Sequence, residues 1–436
     1  PSTGMACQIC AGVAVTEALK ILLRRGRVLA APWGFQVDAY KNKLKITWRP
    51  LGYRNPIQFL KRTIARKILL SKQLPPLDFE PVTTPAEKII ALARWAPSGD
   101  NTQVWRFKLL NPLEFEVMGF DTQKSVVYDF RGHPSQIAIG ALLESITLAS
   151  SCLGLNAKID HHDEYKTDVL RWKVTLSNDS QVHINPLAGY LLERAVQRRP
   201  MKLTKLSEEQ KQQLISCVGH EFEIKFFENF SERFRIANIL SRNAEIRLTL
   251  PEAYSVHSTV IEWNAQFSID RIPDQAIGAD PLATRFMKFA LQSWSRVKFL
   301  NKYCAGTLLP RLQLDFIPGI FCAAHFLIIA KKKPLNLKDH IEIGGALQKF
   351  WLTATKLGLQ IQPEMTPLIF ANYVEQGREF SSNQSAQKQA TEVRRDMETL
   401  FGTQILSNTG FMGRIGFGPK IKSRSLRLPL SRIIEK

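Results

Sequence analysis

The stretch Ala96-Pro97-Ser98-Gly99-Asp100-Asn101-Thr102-Gln103-Val104-Trp105-Arg106-Phe107 gathers side chains suited to holding a small molecule. Pro97, Ser98 and Gly99 cannot continue the apolar helix pattern of Ile89 to Ala93, so backbone N–H groups are freed there. Asn101 and Gln103 each offer amide donors and an acceptor, which suits the edge of a planar heterocycle. Taken alone, the loop also reads as a capped turn leading into the strand Phe107 to Leu110. Cys7 and Cys10 have the spacing of half a zinc site. No second pair exists and no suitable histidine follows closely, so no complete metal site is expected. His161, His162, His220, His257, His325 and His340 lack ligand spacing and read as ordinary residues.

The elements around these residues have the composition of a soluble globular protein. The chain has 436 residues, of which 44% are apolar and 22% charged, enough for two domains or one large one with extensions. Lys and Arg number 59 against 39 Asp and Glu, a net charge of +20. That balance favours anionic partners: a phosphorylated cofactor, a nucleic acid or a membrane surface. Six scattered cysteines form no disulfide framework, so a reducing, cytoplasmic setting is expected. The most apolar run, Phe316 to Ala330, holds Pro318 and His325 and is too short to cross a bilayer; it reads as a buried strand or helix end. The sequence opens at Pro1 inside a recognisable pattern, and a longer native chain is expected.

Helix, Ala-Pro-Ser, a short gap, Asn-x-Gln-x-Trp and then a strand resembles the FMN-contacting loop of the nitroreductase family, with Val104 where that family usually has proline. An internal echo accompanies it. Ile139-Gly140-Ala141-Leu142-Leu143 through Leu153-Gly154-Leu155 resembles Ile343-Gly344-Gly345-Ala346-Leu347 through Leu357-Gly358-Leu359 at a constant offset. Both read as apolar helices stopped by a glycine, each followed by a strand. Nitroreductases are homodimers with flavin sites built across the interface, and the echo resembles the duplicated, Acg-like branch, whose single chain imitates the dimer. The resemblance covers about Pro85 to the C-terminus. It implies an α+β, nitroreductase-like fold forming an internal pseudo-dimer, with halves at about 85–190 and 191–436. It also implies one intact FMN site, because the second half lacks the Pro-Ser-x-x-Asn-x-Gln loop.

The same resemblance distributes the site residues. Arg198, Arg199 and Lys202 match an Arg-Arg-Ser-x-Arg motif, with Pro200 in place of a small polar residue; arginine forks suit phosphate and a pyrimidine edge. Taken alone, that segment reads as a solvated helix end. Glu364, Met365 and Thr366 occupy a stretch that passes the flavin ring in that family, though it also reads as a Pro-bounded turn. Gly416-Phe417-Gly418-Pro419 precedes Lys422, Arg424 and Arg427, which resemble the residues reaching the FMN phosphate. With Pro97, Ser98, Gly99, Asn101 and Gln103 these form the expected cofactor-binding set, and no side chain is expected to act as an obligatory nucleophile.

Cys-x-x-Cys-Ala-Gly-Val-Ala-x-Thr-Glu-Ala-Leu-Lys and then Pro32-Trp33-Gly34-Phe35-Gln36-Val37-Asp38-Ala39-Tyr40 resembles the end of an E1-like ThiF/MoeB-type domain. That family's nucleotide-binding residues are absent from the chain. The expected organisation is therefore an E1-like remnant at 1–55, a basic helix and linker at 56–84, and the nitroreductase-like domain at 85–436 with a possible lid within 228–318. The implied function is FMN-dependent two-electron transfer from NAD(P)H to a small-molecule acceptor or a modified peptide. Alternatives are a flavin-sequestering protein with little turnover, and a fusion modifying a peptide or sulfur carrier. A homo-oligomer through the E1-like segment is possible on this reading. Nucleic-acid binding has only the charge in its favour, since no recognisable motif accompanies the aromatics.

Overall fold

The structure, a computed structural model, describes residues 4–38, 43–70, 81–162, 169–179 and 181–435. The chain divides into two compact units, Pro1–Leu77 and Asp78–Lys436. In the first unit the Ala/Leu-rich stretch forms the helix Gly4–Leu22, and Trp33–Asp38 pairs antiparallel with Lys43–Trp48. Asn55 accepts from the backbone N–H groups of Ile57 and Gln58, which starts the basic helix Pro56–Leu70. None of this unit's described side chains is buried. Cys7 and Cys10 are exposed, and no cluster able to hold a metal ion occurs among the described residues. Residues 39–42 and 71–80, which include Ala39, Tyr40 and part of the expected linker, lie outside the described residues.

The second unit is α+β and contains two sheets with the same strand order. In the first sheet Trp105–Asn111, Glu114–Gly119, Leu170–Asn178 and Leu155–His162 lie side by side, all antiparallel. In the second the order is Phe222–Phe227, Ala324–Ala330, Thr409–Gly416 and Gln360–Pro363, again all antiparallel. Each sheet thus runs first, second, fourth, third in chain order. A long helix separates its second and third strands, His133–Ser151 in one and Leu337–Lys356 in the other. Each is also preceded by a short helix with a reciprocal cap, Thr84 with Glu87 and Ser207 with Gln210. The C-terminal Ile434–Glu435 adds to the first sheet, parallel to Trp105–Asn111. The second sheet carries the larger insertions, at 228–323 and 364–408. Its strands Ala324–Ala330 and Thr409–Gly416 are buried on both faces, which explains their nearly continuous apolar runs. Among the described residues no helix is long and apolar enough to cross a membrane.

The two long helices cross in backbone contact. A Cβ on Gly140 would fall inside the carbonyl oxygen of Ile341, and a Cβ on Gly344 inside that of Ile137. These contacts interchange under the offset that relates the two Leu-Gly-Leu endings. Gly154 and Gly358 stop the helices with φ of 65° and 72°, and their N–H groups donate to Ser151 and Thr355. Beside the crossing Gln348 Nε2 donates to Ser145 Oγ at 2.8 Å. The imidazoles of His133 and His340 stack with centroids 3.8 Å apart. Burial, with the neighbouring His340, pushes His133 down to about 3, and burial lowers His340 as well.

Three outcomes follow from this crossing. Gly344→Ala must force the helices apart and is expected to destabilise the protein by about 3 kcal/mol or more in urea titrations. Gly345→Ala, one residue away with its nearest neighbour at 3.7 Å, is expected to stabilise by up to about 1 kcal/mol. Because His133 stays neutral when folded, its contribution is complete above its ordinary value of 6.5 and is lost as pH falls toward about 3. Urea midpoints of His133→Phe should therefore fall less steeply than wild type across that acid range.

Candidate functional site

The loop that leaves the helix Pro85–Ala93 is held by one side chain from the C-terminus. Arg427 uses all five of its N–H groups. Nε donates to the Arg94 carbonyl at 3.0 Å, and Nη2 to those of Trp95 and Ala96 at 3.1 and 2.7 Å. Nη1 donates to Asn101 Oδ1 at 2.9 Å and to its neighbour's carbonyl, Leu426, at 2.8 Å. The carbonyls left open at the helix end are thereby satisfied. Burial, with Arg194, Arg424 and Arg94 nearby, drops the Arg427 guanidinium well below its ordinary value.

Asn101 and Gln103 are also occupied inside the protein. Asn101 Nδ2 donates to the carbonyls of Ile269 and Arg271, at 3.3 and 3.4 Å. Gln103 Nε2 donates to Asn101 and Ile269, and its Oε1 accepts from the Leu428 N–H at 2.8 Å. Ser98 Oγ accepts from the Gln103 N–H at 3.0 Å. This tight wrapping places Asp100, Asn101 and Gln103 at positive φ, 48°, 64° and 49°. The amide edges expected to face a heterocycle instead tie the loop to residues 269–271 and 426–428.

In front of the loop lies a cavity of about 500 Å³. Pro97, Ser98, Gly99 and Asn101 line it from this side, and Arg198, Glu364, Met365, Thr366, Arg424 and Arg427 from others. Gln103, Arg199, Lys202 and Lys422 are not in its wall. Arg199 Nη2 donates to the Gln275 carbonyl at 2.9 Å, and the side chains of Lys202 and Lys422 are exposed. These two lysines follow the chain to the outer surface, so their charges face solvent.

Five guanidiniums that line the cavity keep capacity of their own. Arg194 lies 4.7 Å over Trp351 and donates from Nη2 to Trp95; Arg424 lies 4.9 Å over Trp95 and donates to Leu192 and Arg194. Arg198 Nη1 reaches the Ala276 carbonyl at 3.3 Å. Arg247 holds both oxygens of Asp315 at 2.7 Å, and Arg414 bridges Glu364 Oε1 and the Arg198 carbonyl. The buried Nε atoms of Arg194, Arg247, Arg414 and Arg424 have no partner, and neither does Gln362 Oε1 in the same wall. Burial lowers Arg194 to about 9, helped by Arg424, and lowers Arg198 and Arg424 to about 10.

Asp100, Asp315, Glu364 and His257 complete the polar lining, with His325 behind Glu364. Burial raises the Asp100 carboxyl against the pull of Arg198 and Arg247. His325 is wholly buried, which works against its charge, yet Glu364 at 2.7 Å lifts it to about 10. Tyr128 OH lies 2.9 Å from Nε2 of His257, and burial pushes His257 down to about 3. The neutral imidazole and the phenol therefore share one hydrogen bond, and the phenolic proton stays on Tyr128. At the opposite wall the helix Thr366–Glu375 begins without a side-chain cap, while Thr366 Oγ1 accepts from Asn243 at 2.7 Å.

Sequence reasoning passed over Arg194, Arg247, Arg414, Asp100, Asp315, Tyr128 and His257. Two carried a signal: Arg194 stands in the same segment as Arg198, and Arg414 interrupts an otherwise apolar strand. Arg247 and Asp315 come from different parts of the large insertion and carried none.

No protein-family model and no curated protein sequence matches the chain. Among solved structures it is similar to a nitroreductase with bound FMN from Bacteroides fragilis, at 9% identity, over 54% of this chain and 89% of that one, with a TM-score of 0.29. A nitroreductase-like family protein from Bacillus cereus is 11% identical over 58% and 96%, also with a TM-score of 0.29. An FMN-dependent nitroreductase from Mycobacterium smegmatis, solved in complex with NADPH, is 13% identical over 57% and 97%, with a TM-score of 0.31.

One outcome follows from the loop clamp. Arg427→Lys supplies at most three donors for five acceptors and leaves buried carbonyls bare. Denaturant titration should show a loss of roughly 2–5 kcal/mol.

Proposed function

We propose that residues 85–436 are an internally duplicated, Acg-like nitroreductase domain that binds one FMN and passes electron pairs from NAD(P)H to an acceptor. The observation that carries this reading is the set of six guanidiniums, those of Arg194, Arg198, Arg247, Arg414, Arg424 and Arg427, that line one cavity. Among the described residues two of them are paired with a carboxylate, Arg247 with Asp315 and Arg414 with Glu364, and a phosphorylated, electron-rich ligand supplies the counter-charge the others lack. The cavity volume is in the range of cofactor pockets. The common strand order and the reciprocal glycine contacts support the duplication.

On this reading Arg194 and Arg424 hold the phosphate, in place of the fully occupied Arg427. Arg198 and Arg414 lie where they can support negative charge on the ring system, and Ser98, Asn101 and the Met365–Thr366 backbone border it. When bound, FMN supplies hydride and electron-pair transfer. The chain's own residues fix the ligand, keep water from the apolar walls, and hold a phenolic proton on Tyr128 against neutral His257. We read residues 1–55 as the end of an E1-like, ThiF-type domain followed by a basic helix and linker at 56–84, and assign the fusion to the cytoplasm.

The test is retention of flavin. Protein incubated with FMN and desalted should keep the flavin absorbance and bleach on addition of NAD(P)H. Arg194→Gln combined with Arg424→Gln should weaken FMN by about a hundredfold or more, since each charge-assisted bond contributes about 1.5–3 kcal/mol. Failure to retain flavin, or equal affinity in the double variant, overturns the reading.

A further inference from the structure

Three consecutive short helical segments of the large insertion turn one face to the cavity and the other outward. In Pro281–Ala290 the residues Met287 and Ala290 line the cavity, while Leu282, Arg285 and Phe289 point away from it; Leu282 is 76% and Phe289 51% exposed. In Trp294–Tyr303 the residues Val297 and Leu300 line the cavity. Phe299 and Tyr303 are 58% and 64% exposed, alternating with exposed Arg296, Lys298 and Lys302. Beyond them Gly306, Pro310 and Leu314 line the cavity, while Leu308 and Leu309 are exposed. This is the two-sided spacing of helices lying at an interface.

The charge on the outer face is of one sign. From Pro281 to Leu314 the sequence holds six Lys and Arg and no Asp or Glu. Among the described residues, Arg311 is the member of that set paired with a carboxylate, Glu245 at 2.6 Å. Arg296 lies over Phe289 at 4.5 Å, and Lys302 over Tyr303 at 5.1 Å, so cations and rings share one surface. Large exposed aromatics interleaved with unpaired cations match the interfacial zone of an anionic bilayer, where rings enter the headgroup layer and cations meet lipid phosphates. A second copy of the same face would bring like charges together, which argues against self-association. Among the described residues no helix is long and apolar enough to cross a membrane, and the contact proposed is a peripheral one.

We propose that the outer face of residues 281–312 docks on anionic lipid bilayers. The inference stands independently of flavin binding. Docking would place the membrane one helix diameter, about 10 Å, from the cavity.

The full 436-residue chain should be sedimented with vesicles of phosphatidylcholine alone and of phosphatidylcholine with phosphatidylglycerol. Binding is expected only to the anionic vesicles. The variant Phe289→Glu, Phe299→Glu, Leu308→Glu should bind at least about tenfold more weakly, with unchanged thermal melting. Should it fail to fold, Arg285→Gln, Lys298→Gln, Lys302→Gln tests the same face and should lose about a hundredfold. Leu60→Glu with Ile64→Glu, on the basic helix Pro56–Leu70, controls for the first unit and should still bind. Three results overturn the proposal. These are no binding to anionic vesicles, undiminished binding by both insertion variants, and loss of binding in the Leu60/Ile64 variant alone. A light-scattering mass showing a dimer that these substitutions dissociate would instead assign the face to a second copy.

Discussion

The contact between the backbones of His133–Ser151 and Leu337–Lys356 is the constraint on which the second unit depends. Side chains normally keep packed helices 8–10 Å apart. Gly140 and Gly344 remove that spacer at the crossing, and each admits a carbonyl of the other helix. The sheets flanking the helices are drawn together as a consequence. The cavity opens beside the crossing, with Ile137 and Ala138 contributed by one helix and Leu347 and Trp351 by the other. A ligand there touches both, so the geometry of the crossing sets the width of the site.

Arginine does two different jobs around that cavity. Arg427 is neutralised by carbonyl dipoles and an amide oxygen, with no carboxylate among its partners. It acts as a structural bolt between the C-terminal segment and the end of the first helix of the unit. Arg194 and Arg424 are held in place by carbonyls and by the faces of Trp351 and Trp95, and both line the cavity. Burial without a counter-anion is what lowers both. Arg247 and Arg414 are paired with Asp315 and Glu364, so the acids reduce the positive charge near them, while Arg194 and Arg424 have no carboxylate among their described partners. Such asymmetry orients an anionic ligand end to end.

The insertion at 228–323 extends the second sheet's connection between its first two strands. Its helices Pro281–Ala290 and Trp294–Tyr303 cannot bury all of their apolar surface against the cavity, because each is only about three turns long and packs along one side. The surplus stays outside with the cations, as the distribution of Leu282, Phe289 and Phe299 shows. The same segments thus wall the cavity and define a surface.

Local chemistry was enough to read several features from the sequence. The helix stops at Gly154 and Gly358, the break after Ala96, and the α+β character all follow from residues adjacent in the chain. The repeated glycine positions and endings of the two long helices were legible for the same reason. Tertiary structure decided which groups face the cavity. Asn101 and Gln103 have the right types for a ligand, but Arg427 and the carbonyls of Ile269 and Arg271 reach them first. Arg247 and Asp315 meet only because a helix and a π-turn far along the chain pack together. Sequence fixes the inventory of donors and acceptors; which of them are satisfied internally and which are left for a ligand depends on contacts between distant segments.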